Sequence, residues 1–279
     1  MKRNSKKRRE IKSLEECLEI ASNSVFKWFR GNNTEEKVLT PGIFREKFTE
    51  IEIPEDPKTE FFFVEEFKRR SPLLSAELPA RNDHLSWLVL MQHHHVPTRL
   101  LDWTENILIA VYFAVSDEMK RNGELWVMNP TELNKMTDPI RLNGTATIDS
   151  TFVQYLAAEP LYLNTDEAQK IHLNDYGLTT TPKYPIAIQS PLYLPRMISQ
   201  FSTFTIHPRP QKNCTIPEVL KDEKDLTSYT IPSKSKNKIL KELYLLEFRR
   251  QTLYQDLDSL AQDLLFEIPL RTGIGRSDN

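Results

Sequence analysis

Three stretches carry side chains whose types and spacing suit them to chemistry. The first runs from His93-His94-His95 through Pro97-Thr98-Arg99 to Asp102. Three histidines in a row invite a metal reading, but adjacent side chains point in different directions, so at most two imidazoles can share an ion. No acidic or histidine partner stands one helical turn away, so no metal site is expected here. Arg99 and Asp102 sit among Leu100, Leu101 and Trp103, just before an apolar run. Charges so near a core are costly unless paired or hydrogen-bonded. They either form a structural pair, with Asp102 also able to accept N–H groups at the next helix start, or they line a pocket together with Thr98. The second stretch is Phe29-Arg30-Gly31, ahead of the turn at Asn32-Asn33. Arg30 there ends a strand beside a flexible turn, a place that suits a ligand-gripping guanidinium and equally an ordinary exposed one. The third is Pro195-Arg196-Met197-Ile198-Ser199-Gln200. Arg196 can pair with a carboxylate or phosphate, and Gln200 can hydrogen-bond a ribose or an amide.

Whole-chain properties narrow the classes. The 279 residues hold 37 Lys+Arg against 39 Asp+Glu, a net charge of -2, which is no broad polyanion-binding surface. Mean hydropathy of -0.49 with 39% hydrophobic residues is a folded, soluble composition. Cys17 and Cys214 are the two cysteines and form no ligand pair or disulfide framework. GxGxxG, Walker, HExxH and GxSxG patterns do not occur, which removes the common dinucleotide-fold, kinase, zinc-protease and lipase readings. The longest apolar run, Ile107 to Val115, is about half of a membrane span. Residues 1–12 read as a basic, disordered arm; acidic residues follow where a signal peptide would need an apolar segment. A cytoplasmic protein with no membrane partner is expected.

The elements that must position these residues are legible in outline. Ser13 to Lys27 has helical apolar spacing and runs into a strand around Val25 to Gly31. Helices are expected over 60–70 and 84–92, with a break before Pro97. Thr104 is expected to cap a helix from Ile107 to Val115 that is apolar almost all round and so buried against a sheet. Glu124 to Met128, the alternation at Ile186/Ile188 and Phe201 to His207 read as strands. Ile239 to Leu246 marks a helix, and Asp256 caps a last short one. The reading is one α+β domain over 13–268 with a disordered tail over 269–279.

Taken together, Phe29-Arg30-Gly31, Leu39-Thr40-Pro41-Gly42-Ile43-Phe44-Arg45, Gln92-His93, Pro97 to Thr104 and Ala110-Val111-Tyr112-Phe113-Ala114 resemble the FRG domain family. Later blocks agree: Gly123 to Val127, Arg196 to Gln200 with Phe204-Thr205, and Leu253 to Ala261. The resemblance spans about Ser24 to Leu265. His95 stands where the family has a small glycine, and Glu247-Phe248 where it often has Gly-Ile. The family occurs in bacteria and phages, often near defence genes, and is similar in fold to ADP-ribosyltransferases. That implies a split sheet with surrounding helices, and NAD as the cofactor, with ADP-ribose passed to a protein or nucleic-acid acceptor in phage–host conflict. It implies Arg30, Tyr112 and Gln200 in catalytic positions, with Arg30, His93, Thr98, Arg99, Asp102 and Arg196 around the NAD. The alternative is a non-catalytic module that senses a nucleotide, nucleic acid or protein. Either way Arg30, Arg99, Asp102, Arg196 and Gln200 are expected around one cleft. Arg30→Ala is expected to spare the fold and Asp102→Ala to harm it.

Overall fold

The β-rich segment at Trp28 becomes the middle of the fold. In the computed structural model, which describes residues 9–23, 27–35, 39–48, 51–52, 59–138, 140, 142–158, 166–189 and 194–272, β1 (Trp28–Asn32) is an inner strand of a six-stranded sheet. A two-stranded ribbon, β2 (Lys47–Phe48) and β3 (Ile51–Glu52), stands apart from it. The remaining members of the sheet are β4 (Leu100–Thr104), β5 (Gly123–Met128), β6 (Ile186–Ile188), β7 (Ser202–Ile206) and β8 (Leu226–Ile231). Their order is β6-β7-β4-β1-β5-β8, with every neighbour antiparallel. The chain forms a mixed α+β domain.

β1 matches β5 over five residue pairs, but it registers with β4 only at Phe29↔Thr104. Beyond that pair the two strands are not laddered, and an opening forms between Arg30–Asn32 and Leu100–Asp102.

Helices cover the faces. On one face α1 (Leu14–Ser22), capped by the Ser13 side chain, packs with α4 (Ile107–Val115) and α10 (Ser233–Leu245) over Phe29, Leu125, Val127 and Ile231. Farther along, α3 (His84–His93) and α6 (Thr151–Ala158) share a core with Leu100, Ile186, Ile188 and Ile206, and α2 (Thr59–Arg70) packs on α3. The opposite face is a cluster of Trp28, Trp103, Trp126, Leu101 and Met128 closed by Leu133 of α5 (Pro130–Lys135) and Ile216 of α9 (Ile216–Val219). The outer elements are α7 (Asp166–Asp175), α8 (Pro195–Ser199), α11 (Arg250–Tyr254) and α12 (Leu257–Thr272).

The central helix α4 is buried against the sheet, as its sequence requires, at seven of its nine positions. Its cap differs from expectation. Asn106 accepts from Leu108 N at 2.9 Å, while Thr104, still in β4, accepts from Asn106 N and donates to the Gln200 carbonyl. Asp102 likewise is no cap; it is a strand residue, and its side chain is 55% exposed between buried neighbours.

Both ends depart from the expected boundaries. Residues 9–12 are held: Ile11 is buried, its N–H donates to the Thr230 carbonyl, and Glu10 bridges Thr230 in parallel along β8. An apolar side chain next to an open strand edge explains this docking. At the other end α12 runs to Thr272 with Pro269 inside it, beyond residue 268. Residues 1–8 and 273–279 lie outside the described residues.

Candidate functional site

The glycine of the Phe-Arg-Gly motif is a packing residue. A Cβ on Gly31 would lie 1.7 Å from the Ala110 carbonyl oxygen of α4, so no side chain fits. Gly123 on the neighbouring strand meets Ala114 in the same way, at 2.3 Å. The pair lets α4 lie directly on β1 and β5, which fixes where the flanking Arg30 stands.

Arg30 reaches across the opening. Its Nη1 donates to the Asp102 carbonyl at 2.8 Å and lies 3.9 Å from the Asp102 carboxylate. That carboxylate accepts from Gln92 Nε2 at 2.9 Å, and Gln92 Oε1 in turn accepts from the Thr98 hydroxyl at 2.7 Å. Thr98 is fully buried and also accepts from Leu100 N. A fixed hydroxyl thus orients an amide, which orients a carboxylate in the only exposed position of β4.

The far wall comes from the C-terminal third. Arg196 of α8 stacks on Tyr254 of α11 with its guanidinium carbon 4.3 Å from the ring centre, and Arg250 stacks at 5.1 Å. Phe113 of α4 meets Tyr254 edge to face at 6.2 Å. The Gln200 amide nitrogen donates to the Leu253 carbonyl at 3.2 Å. Together these groups enclose a cleft of about 370 Å³, into which Arg45 and Asp117 also face. Asn32 lines it too, and its Nδ2 is buried without a hydrogen-bond partner among the described residues. Hollows of about 760, 790 and 410 Å³ show no such convergence. Phe62, Phe67 and Leu74 border the first, and Trp28, Phe29 and Ile107 the second.

Of the residues singled out in the sequence, Arg30, Asp102, Arg196 and Gln200 line this cleft, and Thr98 supports it from behind. Arg99 does not. It is buried with Glu60: the backbone N–H and Nε donate to the carboxylate at 3.0 and 2.8 Å, Nη2 also contacts it, and Nη1 donates to the Leu156 carbonyl. Its pairing with Glu60 of α2, rather than Asp102, holds it away from the cleft. Tyr112 is buried in the core, and burial pushes its phenol well up; its neighbour Phe113 faces the cleft instead. His93 stacks edge-on against His94 outside the lining, whereas His95 lines it. Burial, then Arg196 and the two neighbouring histidines, lower the His93 pKa to about 4. The Asp102 side chain is more exposed than that of Arg30, 55% against 14%, whereas the sequence placed Asp102 among core residues and Arg30 toward solvent.

Sequence reading passed over Gln92, Arg45, Asp117 and Tyr254. Gln92 had a signal: it is the one amide at the end of the apolar run Leu88 to Met91. His207 was also passed over. It is buried behind Arg30 with its Nε2 2.9 Å from the Thr205 hydroxyl, and burial, then Arg30, lower its pKa to about 3.

A family model matches the block that carries Arg30, Gln92, His95 and Asp102. Residues 26–123 match the FRG domain family. No curated protein and no solved structure gives a significant match to the chain. The FRG segment therefore supplies β1, α3, β4 and α4 to the cleft, while Arg196, Gln200 and Tyr254 come from beyond it. Among the described residues no group of three or more His, Cys, Asp or Glu is placed to hold a metal ion, and no helix is long and apolar enough to cross a membrane.

Proposed function

We propose that the cleft binds NAD and acts on the bond between its nicotinamide and ribose, passing ADP-ribose to a protein or nucleic-acid acceptor. One observation carries this reading: three arginines, an aromatic wall and an oriented carboxylate converge where β1 and β4 part. Arg30, Arg45 and Arg196 suit the charge and geometry of a pyrophosphate. Phe113 and Tyr254 offer faces and edges to a flat ring. NAD supplies a glycosidic carbon that turns positive as the neutral nicotinamide departs with the bonding pair. Asp102, held by Gln92 and Thr98, presents a fixed negative charge for that carbon, and the preorganisation is what makes it effective. The acceptor oxygen or nitrogen then forms the new bond and loses its proton. Gln200 has its amide nitrogen engaged by Leu253, which leaves its carbonyl oxygen for a ribose hydroxyl. The setting we propose, phage–host conflict, rests on the family resemblance.

A second reading, binding without turnover, is favoured by one feature: Gln200 is neutral, so it adds no negative charge opposite the cation. Calorimetric titration with NAD and ADP-ribose, paired with an assay for released nicotinamide, separates the two. Arg30→Ala is expected to weaken both ligands about ten- to hundredfold, the loss of one charge-assisted contact. Asp102→Asn is expected to keep ADP-ribose binding and lose nicotinamide release. Binding without release in the wild type selects the second reading. Equal binding by wild type and Arg30→Ala sinks both.

A further inference from the structure

His95 is an expensive residue for its place in the backbone. The end of α3 closes with His95 N–H to the Gln92 carbonyl at 3.0 Å and Val96 N–H to the Met91 carbonyl at 2.9 Å, the paired pattern of a Schellman cap. The cap needs a left-handed residue, and His95 takes it at φ 62. Glycine fills that position without steric cost, and a side chain strains it.

The same cap recurs at the end of α10, with Glu247 at φ 64, Glu247 N–H to the Tyr244 carbonyl and Phe248 N–H to the Leu243 carbonyl. There the side chain has a use within the fold, since its carboxylate pairs with Arg249 at 2.7 Å. The His95 imidazole makes no hydrogen bond within the described residues. It is exposed and lines the cleft, within electrostatic reach of Arg196 and Asp102. Strain of this kind clusters at functional positions.

We propose that His95 is a ligand-contacting residue of the cleft, its ring hydrogen-bonding an oxygen of the bound dinucleotide beside Arg196. The proposal rests on the nucleotide reading above and adds a contact to it. Partial burial, then Arg196, lowers the pKa of the ring, and a neutral imidazole offers one donor and one acceptor.

The test uses the full chain with ADP-ribose and NAD as probes, calorimetry for affinity and thermal melts for the fold. His95→Gly is expected to melt about 1–2 °C higher than wild type, because the strain is gone, and to bind ADP-ribose about three- to tenfold more weakly. His95→Asn, which tolerates the left-handed region and keeps a donor and an acceptor, is expected to retain more affinity than the glycine variant. Glu247→Gly, the matching cap away from the cleft, is expected to bind as wild type does. If His95→Gly binds with wild-type affinity, the proposal fails and the nucleotide cleft stands. If wild type binds neither ADP-ribose nor NAD, the cleft reading fails and takes this contact with it.

Discussion

Arg99 and Glu60 show what a charge inside this protein has to do to remain there. Both side chains are 3% exposed, and the guanidinium is matched by a carboxylate and the Leu156 carbonyl, so little of its charge is left uncompensated. Replacing both partners by apolar groups can be neutral, but removing one leaves a buried ion without its counter-ion. Glu60→Gln is therefore expected to lose about 3–5 kcal/mol in denaturant unfolding, without a specific effect on ligand affinity in the protein that stays folded. A loss under about 1 kcal/mol would mean that water reaches the pair. Asp102 and Arg30 contrast with it, since their weaker 3.9 Å contact and the exposure of Asp102 leave charge available to a ligand.

At the level of elements, the tightest constraint is the contact of α4 with β1. Gly31→Ala forces a methyl into the Ala110 carbonyl, a backbone atom that cannot swing aside. We expect a cost at or above ~3 kcal/mol, seen as a lowered melting temperature or loss of soluble protein; a near-wild-type melt would refute the close approach. The buried helix itself was legible, because Ile107 to Val115 is apolar all round and has only one home. So were α2, from its helical spacing, and α3 and β5, from their near-continuous apolar content, and the convergence of Arg30, Asp102, Arg196 and Gln200. Other features were not. β8 reads Leu-Thr-Ser-Tyr-Thr-Ile, and its four middle residues are only half buried, so alternation is weak. Arg99 was misplaced because its partner, Glu60, lies 39 positions away on α2, and no local pattern announces a long-range ion pair. Tyr112 and Phe113 differ by one helical step of about 100°, and composition cannot say which of two adjacent aromatics faces a cleft.

For the molecule as a whole, the buried His207 sets an acid limit. Its pKa falls from 6.5 to about 3, by burial first and Arg30 second. Between those values the unfolded chain takes up a proton that the native state refuses, so stability is complete above about pH 6.5 and drains as pH falls toward 3. The slope from this residue reaches ~1.4 kcal/mol per pH unit. His207→Gln is expected to flatten the acid limb of the stability curve, measured by denaturant unfolding at stepped pH, and an unchanged limb would show that His207 is protonated in the fold. The order of the sheet has a consequence of another kind, in time. β1 is the first of its strands to be synthesised and lies inside the sheet, yet the outer strands β6 and β8 are made only after β1, β4 and β5, and residues 9–11 wait for Thr230. A ribosome must therefore deliver most of the chain before its beginning finds a partner. Contacts of such long sequence separation slow folding, and they leave the nascent β1, β4 and β5 with open edges while the rest is being made.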